Sequence, residues 1–417
     1  MAHDETEFPA TDRRAFLQAG AVAAASVAAM SPGLRAAQDP AAPAKAPAVP
    51  TRRLGKTGVD ITILDQGAVR EGYDRIIRLA YARGVRVFDA AKAYGVGNEP
   101  VLKKWFEASP EVRKEIFLVT KDGPKNPGQI PAMVDERLAS LGTDHIDLFF
   151  VHGLGDEHSL DDAIKMVTSP EFKAAAEAVK KSGKVKFIGF STHHRDRAQI
   201  IEAAAKAGMV DAIMLMYTPW LEKDDPLNKA LDLCHEKGVG LITMKQVAGN
   251  FPAKPKFNVL EEVVRRAPWL KEKGFSPFQG LLHAIWTDER ISSSCVSMKN
   301  SEQLRENIDA AVRYAPLKAA ELEQLKHATL AANPTLCGGC DGRCSVAAGT
   351  EAELGNLTRF LTYHEYHGHR SEARNEYAAL SPAARDWSGA DLAAAREACP
   401  SKLDFAALLP EVDRHLA

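Results

Sequence analysis

Residues 73–89, Tyr73-Asp74-Arg75-Ile76-Ile77-Arg78-Leu79-Ala80-Tyr81-Ala82-Arg83-Gly84-Val85-Arg86-Val87-Phe88-Asp89, hold the pattern that decides the fold. Ile76, Ile77, Leu79 and Ala80 fall at helical spacing and predict a helix over 73–82. Gly84 ends it, because glycine takes the left-handed conformation that closes a helix without a Cβ clash. Val85 to Phe88 is then a short apolar strand, and it stops on a charged residue, Asp89.

This unit repeats along the chain. Strand-like runs occur at Ile61–Leu64, Val85–Phe88, Ile116–Thr120, Ile146–Val151, Val185–Phe190, Ala212–Met216, Val239–Met244 and Ser292–Val296. Helical segments are predicted at 128–141, 171–181, 195–207, 226–237 and 301–314, with Gly142, Gly183, Gly208 and Gly238 where helices must stop. Repeated βα units imply a parallel sheet, since parallel neighbours need a long crossover. Eight strands close a barrel filled by side chains. An open doubly wound sheet would carry a glycine-rich fingerprint after its first strand, which Gly67-Ala68-Val69-Arg70-Glu71-Gly72 does not supply. The expected fold class is therefore α/β: a (β/α)8 TIM barrel with a small, mainly α-helical C-terminal cysteine-cluster domain.

Lys+Arg 53 against Asp+Glu 55 leave a formal charge of -2, so no basic surplus points to nucleic acid. No apolar run reaches the roughly 18 residues of a spanning helix. The N-terminus differs in character. Asp12-Arg13-Arg14-Ala15-Phe16-Leu17-Gln18 precedes a mildly apolar run from Ala19 to Met30, with small residues at Ala36-Ala37. Paired arginines before a weakly hydrophobic core resemble a twin-arginine export signal; an Ala-rich tail is the alternative. That signal implies a periplasmic or other extracytoplasmic location and export of an already folded chain, which suits a cofactor acquired in the cytoplasm. The expected division is a signal peptide at 1–37, a Pro/Ala linker at 38–50, the barrel at 51–332 and the cysteine domain at 333–417.

Barrel enzymes place their chemistry at the C-terminal ends of strands. Asp89 closes the second strand, with Tyr94 five residues on in its loop; Lys121 closes the third strand and His152 the fourth. A phenol titrates near about 10, too high to trade protons easily at neutral pH. A neighbouring ammonium favours the phenolate and brings that value down. Asp89 can hold Lys121 charged and placed, and His152 can orient a carbonyl oxygen. No side chain supplies a hydride, so a nicotinamide must. The competing function is a non-catalytic barrel that binds a ligand or partner.

Leu54-Gly55-Lys56-Thr57-Gly58, Phe88-Asp89-Ala90-Ala91-Lys92-Ala93-Tyr94-Gly95, Ile188-Gly189-Phe190-Ser191 and Met298-Lys299-Asn300-Ser301-Glu302-Gln303-Leu304-Arg305-Glu306-Asn307 resemble the aldo-keto reductase family over roughly 51–315. The resemblance implies NADPH, or else NADH, bound in extended form, and a small-molecule carbonyl or alcohol substrate. Tyr94 would be the general acid, tuned by Lys121 and Asp89, with His152 orienting the substrate. Ser191 and Thr192 would face the carboxamide, and Tyr217 would stack on the nicotinamide. Lys299 would approach the 2′-phosphate, with Gln303, Glu306 and Asn307 on the adenosine side and helix 301–314 offering its N-terminus to phosphate. The chain departs from the family at Thr192, where Asn is usual, and at Met214, where Gln is usual. Loop 246–275, with Trp269 and Phe275, is expected to shape the pocket.

Cys234 and Cys295 read as buried small residues. Cys337, Cys340 and Cys344, in C-x2-C-x3-C spacing, together with Cys399-Pro400, resemble a four-cysteine iron–sulfur site of the [4Fe–4S] type, with an electron-transfer partner implied. The bacterial ferredoxin spacing has a shorter second gap and a nearer fourth cysteine. Zinc, taking Cys399 or a histidine from Tyr363-His364-Glu365-Tyr366-His367-Gly368-His369, and disulfides are the alternatives. Without a metal, that histidine stretch reads as a solvated helix face.

Overall fold

The structure, a computed structural model, describes residues 48–68, 73–94, 98–155, 158–194, 196–221, 223–246, 259–332, 337, 342–365, 370–399 and 401–417. The chain divides into two units, Met1–Lys45 and Ala46–Ala417, and all described residues belong to the second. The export signal, Cys340, His367, His369 and Pro400 lie outside the described residues.

A hairpin comes first: β1 (Thr51–Arg53) pairs antiparallel with β2 (Asp60–Thr62). Eight parallel strands follow: β3 (Leu64–Gln66), β4 (Val87–Asp89), β5 (Phe117–Asp122), β6 (Ile146–Leu154), β7 (Val185–Thr192), β8 (Ala212–Met216), β9 (Gly240–Met244) and β10 (Ile291–Val296). They form a closed barrel in chain order, with β10 pairing both β9 and β3. The expected first strand, 61–64, is thus divided between two elements. Thr62 Oγ1 donates to its neighbour's neighbour, Leu64 O, at 2.9 Å, and the chain passes from the hairpin into the barrel there.

Helices at Tyr73–Ala82, Ile130–Leu141, Pro170–Lys181, Arg197–Ala207, Pro226–Lys237 and Ser301–Val312 lie close to their expected positions. Helices Val259–Arg266 and Trp269–Lys273 occupy part of the stretch read as loop, because their apolar residues pack on the barrel's outer layer.

Two apolar layers fill the barrel. Leu54, Ile61, Val87, Phe117, Val119, Leu148, Phe150, Ala212, Met214 and Ile242 form the interior cluster, and a larger cluster lies between strands and helices. Leu54 closes the floor: a Cβ on Gly240 would meet its Cδ1 at 2.4 Å. Full burial of each such side chain stabilises by about 1.5–3 kcal/mol. Gly189 admits no side chain at all, since a Cβ there would lie 1.8 Å from Ala212 O across β7 and β8. With the floor filled by carbon, room for polar groups remains at the C-terminal ends of the strands.

Beyond helix Ala319–Ala332 come helices Arg343–Ala347, Leu354–Glu365, Arg370–Ala379, Pro382–Arg385, Leu392–Ala398 and Phe405–Leu416. They have their own apolar cluster, built on Leu354, Leu357, Leu361, Phe405, Leu409 and Val412, which also contains Cys344 and Cys399. Arg343 reaches the barrel, 3.1 Å from the buried Asp225 that caps helix Pro226–Lys237. No described helix is long and apolar enough to cross a membrane.

Candidate active site

The barrel topology brings the four strand-end residues together. Asp89 is the last residue of β4, Lys121 the penultimate residue of β5, His152 lies near the end of β6, and Tyr94 closes the 3-10 turn Lys92–Tyr94. Lys121 Nζ donates to both oxygens of Asp89 and to Ala90 O at 3.3 Å. It lies 5.4 Å from the centre of the Tyr94 ring, and the Tyr94 and His152 rings meet edge to face at 5.6 Å. The turn that carries Tyr94 is tethered through Lys92, 3.5 Å from Asp122 and 3.1 Å from Glu136. Arg137 then joins Asp122 to Glu99. The residue beside Lys121 therefore anchors the turn that presents the phenol.

The electrostatics differ from the expectation in one respect. Lys121 is the largest influence on Tyr94 and does lower its pKa, but burial and the charges of Asp89 and Cys295 outweigh it, and the phenol is pushed up to about 12. Tyr94 thus keeps its proton at neutral pH, as a proton donor must, although the side chain is 39% exposed. Burial, helped by Lys121 and Lys245, pushes His152 down to about 4, so its ring is neutral.

Behind this group lies a residue that strand-end reading passes over. Asp65, in the middle of β3, is fully buried, and neither carboxylate oxygen has a hydrogen bond of normal geometry. Burial and the nearby Asp89 raise its pKa well above the usual carboxylate range, against the opposing Lys121 and Cys295 thiol. Cys295, its partner in the β10–β3 register, is half-buried, packs against the barrel's interior cluster and also lines the cavity. His193 also lines the cavity and is pushed down to about 3 by burial and by Lys245. The polar run Ser191-Thr192-His193-His194 at the end of β7 was the signal available for it.

One cavity of about 680 Å³ holds Asp89, Tyr94, Lys121 and His152 and continues past Ser191 to Lys299, Gln303, Glu306 and Asn307. That volume is in the range of sites for small ligands, roughly 300–1,000 Å³. Ser191 Oγ accepts from Gly153 N at 2.9 Å, and Lys299 is exposed, with no ion pair among the described residues. Two amides at the start of helix Ser301–Val312 already donate to the Asn300 side chain, which leaves fewer for a phosphate than expected. Two expected contacts are not brought to the cavity. Thr192 Oγ1 is turned to Leu154 O, and Tyr217 is packed in the barrel's outer layer, its hydroxyl donating to Asp288 at 2.7 Å. Met214 does line the cavity, so its wall is apolar where the family usually has an amide. Phe278, Leu281 and Leu282 shape the pocket in place of Trp269 and Phe275, which pack against the barrel core. A nicotinamide dinucleotide fits this donor set at both ends, with a free cation at one end and the proton donor at the other.

Among the described cysteines, Cys337, Cys344 and Cys399 come together and none is in a disulfide. Burial, and the charges of Cys337 and Cys399, push Cys344 up to about 12, and burial together with Cys337 also raises Cys399. Several thiols that repel one another's ionisation in a buried site suit a bound metal or cluster, whose positive charge removes that penalty. His364 is not on a solvated face: it is 4% exposed and lies within the C-terminal helices.

Residues 63–329 match the model of the aldo/keto reductase family. An NADP(+) aldo-keto reductase of Schizosaccharomyces pombe is 27% identical over 225 residues, covering 49% of this chain and 62% of that protein, so the match spans less than two thirds of that relative's length. The L-glyceraldehyde 3-phosphate reductase of Escherichia coli is 22% identical over 330 residues, covering 66% of this chain and 91% of the relative. The holo aldo-keto reductase AKR11C1 of Bacillus halodurans has the same fold, with a TM-score of 0.54 and 22% identity over 67% of this chain and 96% of its own. Barrel, strand-end tetrad and family match agree: the chain belongs to the aldo/keto reductase family of oxidoreductases.

Proposed function

We propose that the barrel interconverts a small-molecule carbonyl compound and its alcohol, with NADP(H) as hydride carrier, NADH being the second choice. The carrying observation is a protonated phenol, a neutral imidazole and a buried ammonium–carboxylate pair in one cavity that runs on to the unpaired Lys299. Bound nicotinamide would supply the hydride to the carbonyl carbon. Tyr94 then donates its proton to the carbonyl oxygen as negative charge grows there. Lys121 stabilises the resulting phenolate, and Asp89 fixes Lys121 in place. His152, neutral at physiological pH, orients the oxygen by a hydrogen bond. Ser191 and Lys299 would hold the carboxamide and 2′-phosphate ends, and Gln303, Glu306 and Asn307 the adenosine.

The same reading makes the chain an exported one, delivered by the twin-arginine route, with the barrel at 51–332 and a separate cysteine domain at 333–417. Cys337, Cys344 and Cys399, with Cys340, would hold a [4Fe–4S] cluster, which supplies one-electron chemistry and implies an electron-transfer partner.

The test is NADPH oxidation by anaerobically purified full-length protein against a panel of aldehydes and ketones, with Tyr94→Phe as the comparison. Loss of the proton donor lowers kcat by about 10²–10⁴-fold, while NADPH binding, read by its fluorescence, persists. Equal turnover by the two proteins removes Tyr94 from the mechanism.

A further inference from the structure

We propose that His364, Glu365 and His415 form a binding site for a divalent transition-metal ion of the Zn2+ type, independent of the cysteines and joining two helices of the C-terminal region. The residues come from the last turns of helices Leu354–Glu365 and Phe405–Leu416. One nitrogen of each histidine and one carboxylate oxygen lie within 4.8 Å of one another. Glu365 Oε1 is 2.9 Å from His364 Nδ1 and 3.7 Å from His415 Nδ1. Donors about 2.0–2.1 Å from a tetrahedral ion stand roughly 3.3 Å apart, so these two separations bracket the required value.

The surroundings of the group favour a cation. His364 is almost completely buried, and its Nδ1 is the nitrogen that faces Glu365. Both helices also end at this group, so the negative ends of two helix dipoles lie near it. Glu365, a carboxylate in a last turn, adds to the negative charge rather than opposing it.

Two imidazoles and a carboxylate are borderline donors. They select Zn2+, Co2+ or Ni2+ over Mg2+ and Ca2+, which take all-oxygen sets. The side chains of Glu365 and His415 are 20% and 32% exposed, which gives an ion a path in from solvent. Bound there, it ties the chain's last helix to the helix that packs beside it.

The experiment uses anaerobically purified full-length protein with its native metal content, titrated with Zn2+ by calorimetry and with Co2+ by absorption. The expected result is one equivalent beyond the metal held by the cysteines, with visible d–d bands and no intense near-ultraviolet thiolate band. His415→Ala and Glu365→Gln each weaken Zn2+ binding by more than the about 10–100-fold typical of outer-shell changes, and Mg2+ gives no signal. His415 is part-exposed, so its replacement spares the core; His364→Gln is the buried counterpart. The proposal is overturned if the wild-type protein takes up no further equivalent, or if His415→Ala and Glu365→Gln bind Zn2+ as it does. A cobalt spectrum dominated by thiolate charge transfer overturns it equally, by assigning the ion to the cysteines.

Discussion

Lys121→Met removes a cation from a place that water does not reach, because the side chains of Lys121 and Asp89 are 1% and 2% exposed. The substitution keeps length and volume and leaves Asp89 as an uncompensated buried carboxylate. Breaking a buried pair in this way costs about 3–5 kcal/mol. At about 2.1 cal/mol/K of unfolding entropy per residue, a folded unit of about 370 residues shifts Tm by about 1.3 °C per kcal/mol, so the expected loss is roughly 4–7 °C. Removing both charges, in Asp89→Leu/Lys121→Met, recovers much of that stability, because no buried charge remains unpaired. Activity does not return, since nothing then steadies the phenolate of Tyr94. The loss in the single variant also depends on pH. Burial already raises Asp89 above the usual carboxylate value while Lys121 lowers it, so removing Lys121 raises it further. A carboxyl with a raised folded pKa binds more protons folded than unfolded, so stability falls as pH climbs past about 3.9, its unfolded value. Lys121→Met is therefore least harmful in acid and most harmful at and above neutrality. Thermal unfolding by circular dichroism at acidic and alkaline pH measures both effects. If the single and double variants melt together, or if the loss in the single variant is the same across pH, the pair is not coupled as described.

Gly189→Ala forces a Cβ to 1.8 Å from Ala212 O and 2.9 Å from Phe150 Cε1, both in the barrel wall. Overpacking costs typically 1–3 kcal/mol, and a backbone clash puts this variant at or above about 3; an unchanged urea midpoint contradicts the close approach of β7 and β8. With Tyr94 pushed up to about 12 and His152 down to about 4, kcat/KM for carbonyl reduction stays level across neutral pH and falls in acid as His152 gains a proton. His152→Gln abolishes that acid limb, and an acid limb that survives the change is due to another group. The folded pKa of His152 is depressed, so the unfolded chain takes up the extra proton and stability falls as pH drops from about 6.5 towards the folded value. On the proposed [4Fe–4S] reading, Cys344→Ser, replacing a buried member of the cysteine set, lowers iron from the about four atoms per chain that such a centre holds; metal analysis showing equal iron in both proteins excludes Cys344 as a ligand.

The strand ends were legible because their placement is a local property. An apolar run that stops on Asp89, Lys121 or His152 carries that residue to the barrel mouth once the strands are parallel, whatever the details of packing. The hairpin was not legible in that way: Ile61 and Ile63 read as one strand, and pairing with Thr51–Arg53 divides them. Tyr217 shows the same limit, since a ring at the end of β8 can turn into the cavity or outward, and its hydroxyl turns to Asp288, 71 residues away.

By itself the sequence determined an eight-stranded barrel and the end of it at which Asp89, Lys121 and His152 gather, because glycine stops and hydrophobic periodicity act within a few residues. Tertiary structure alone decided the proton inventory of that face. It set Asp65 and Cys295 side by side behind Asp89 through the β10–β3 register, and through burial, Asp89 and Cys295 it left Tyr94 protonated where the neighbouring lysine alone would have lowered its pKa. It also buried His364 against His415, 51 positions along the chain. Charges act through space and burial rather than along the chain, so the titration of a group is fixed by neighbours that its own sequence context does not name.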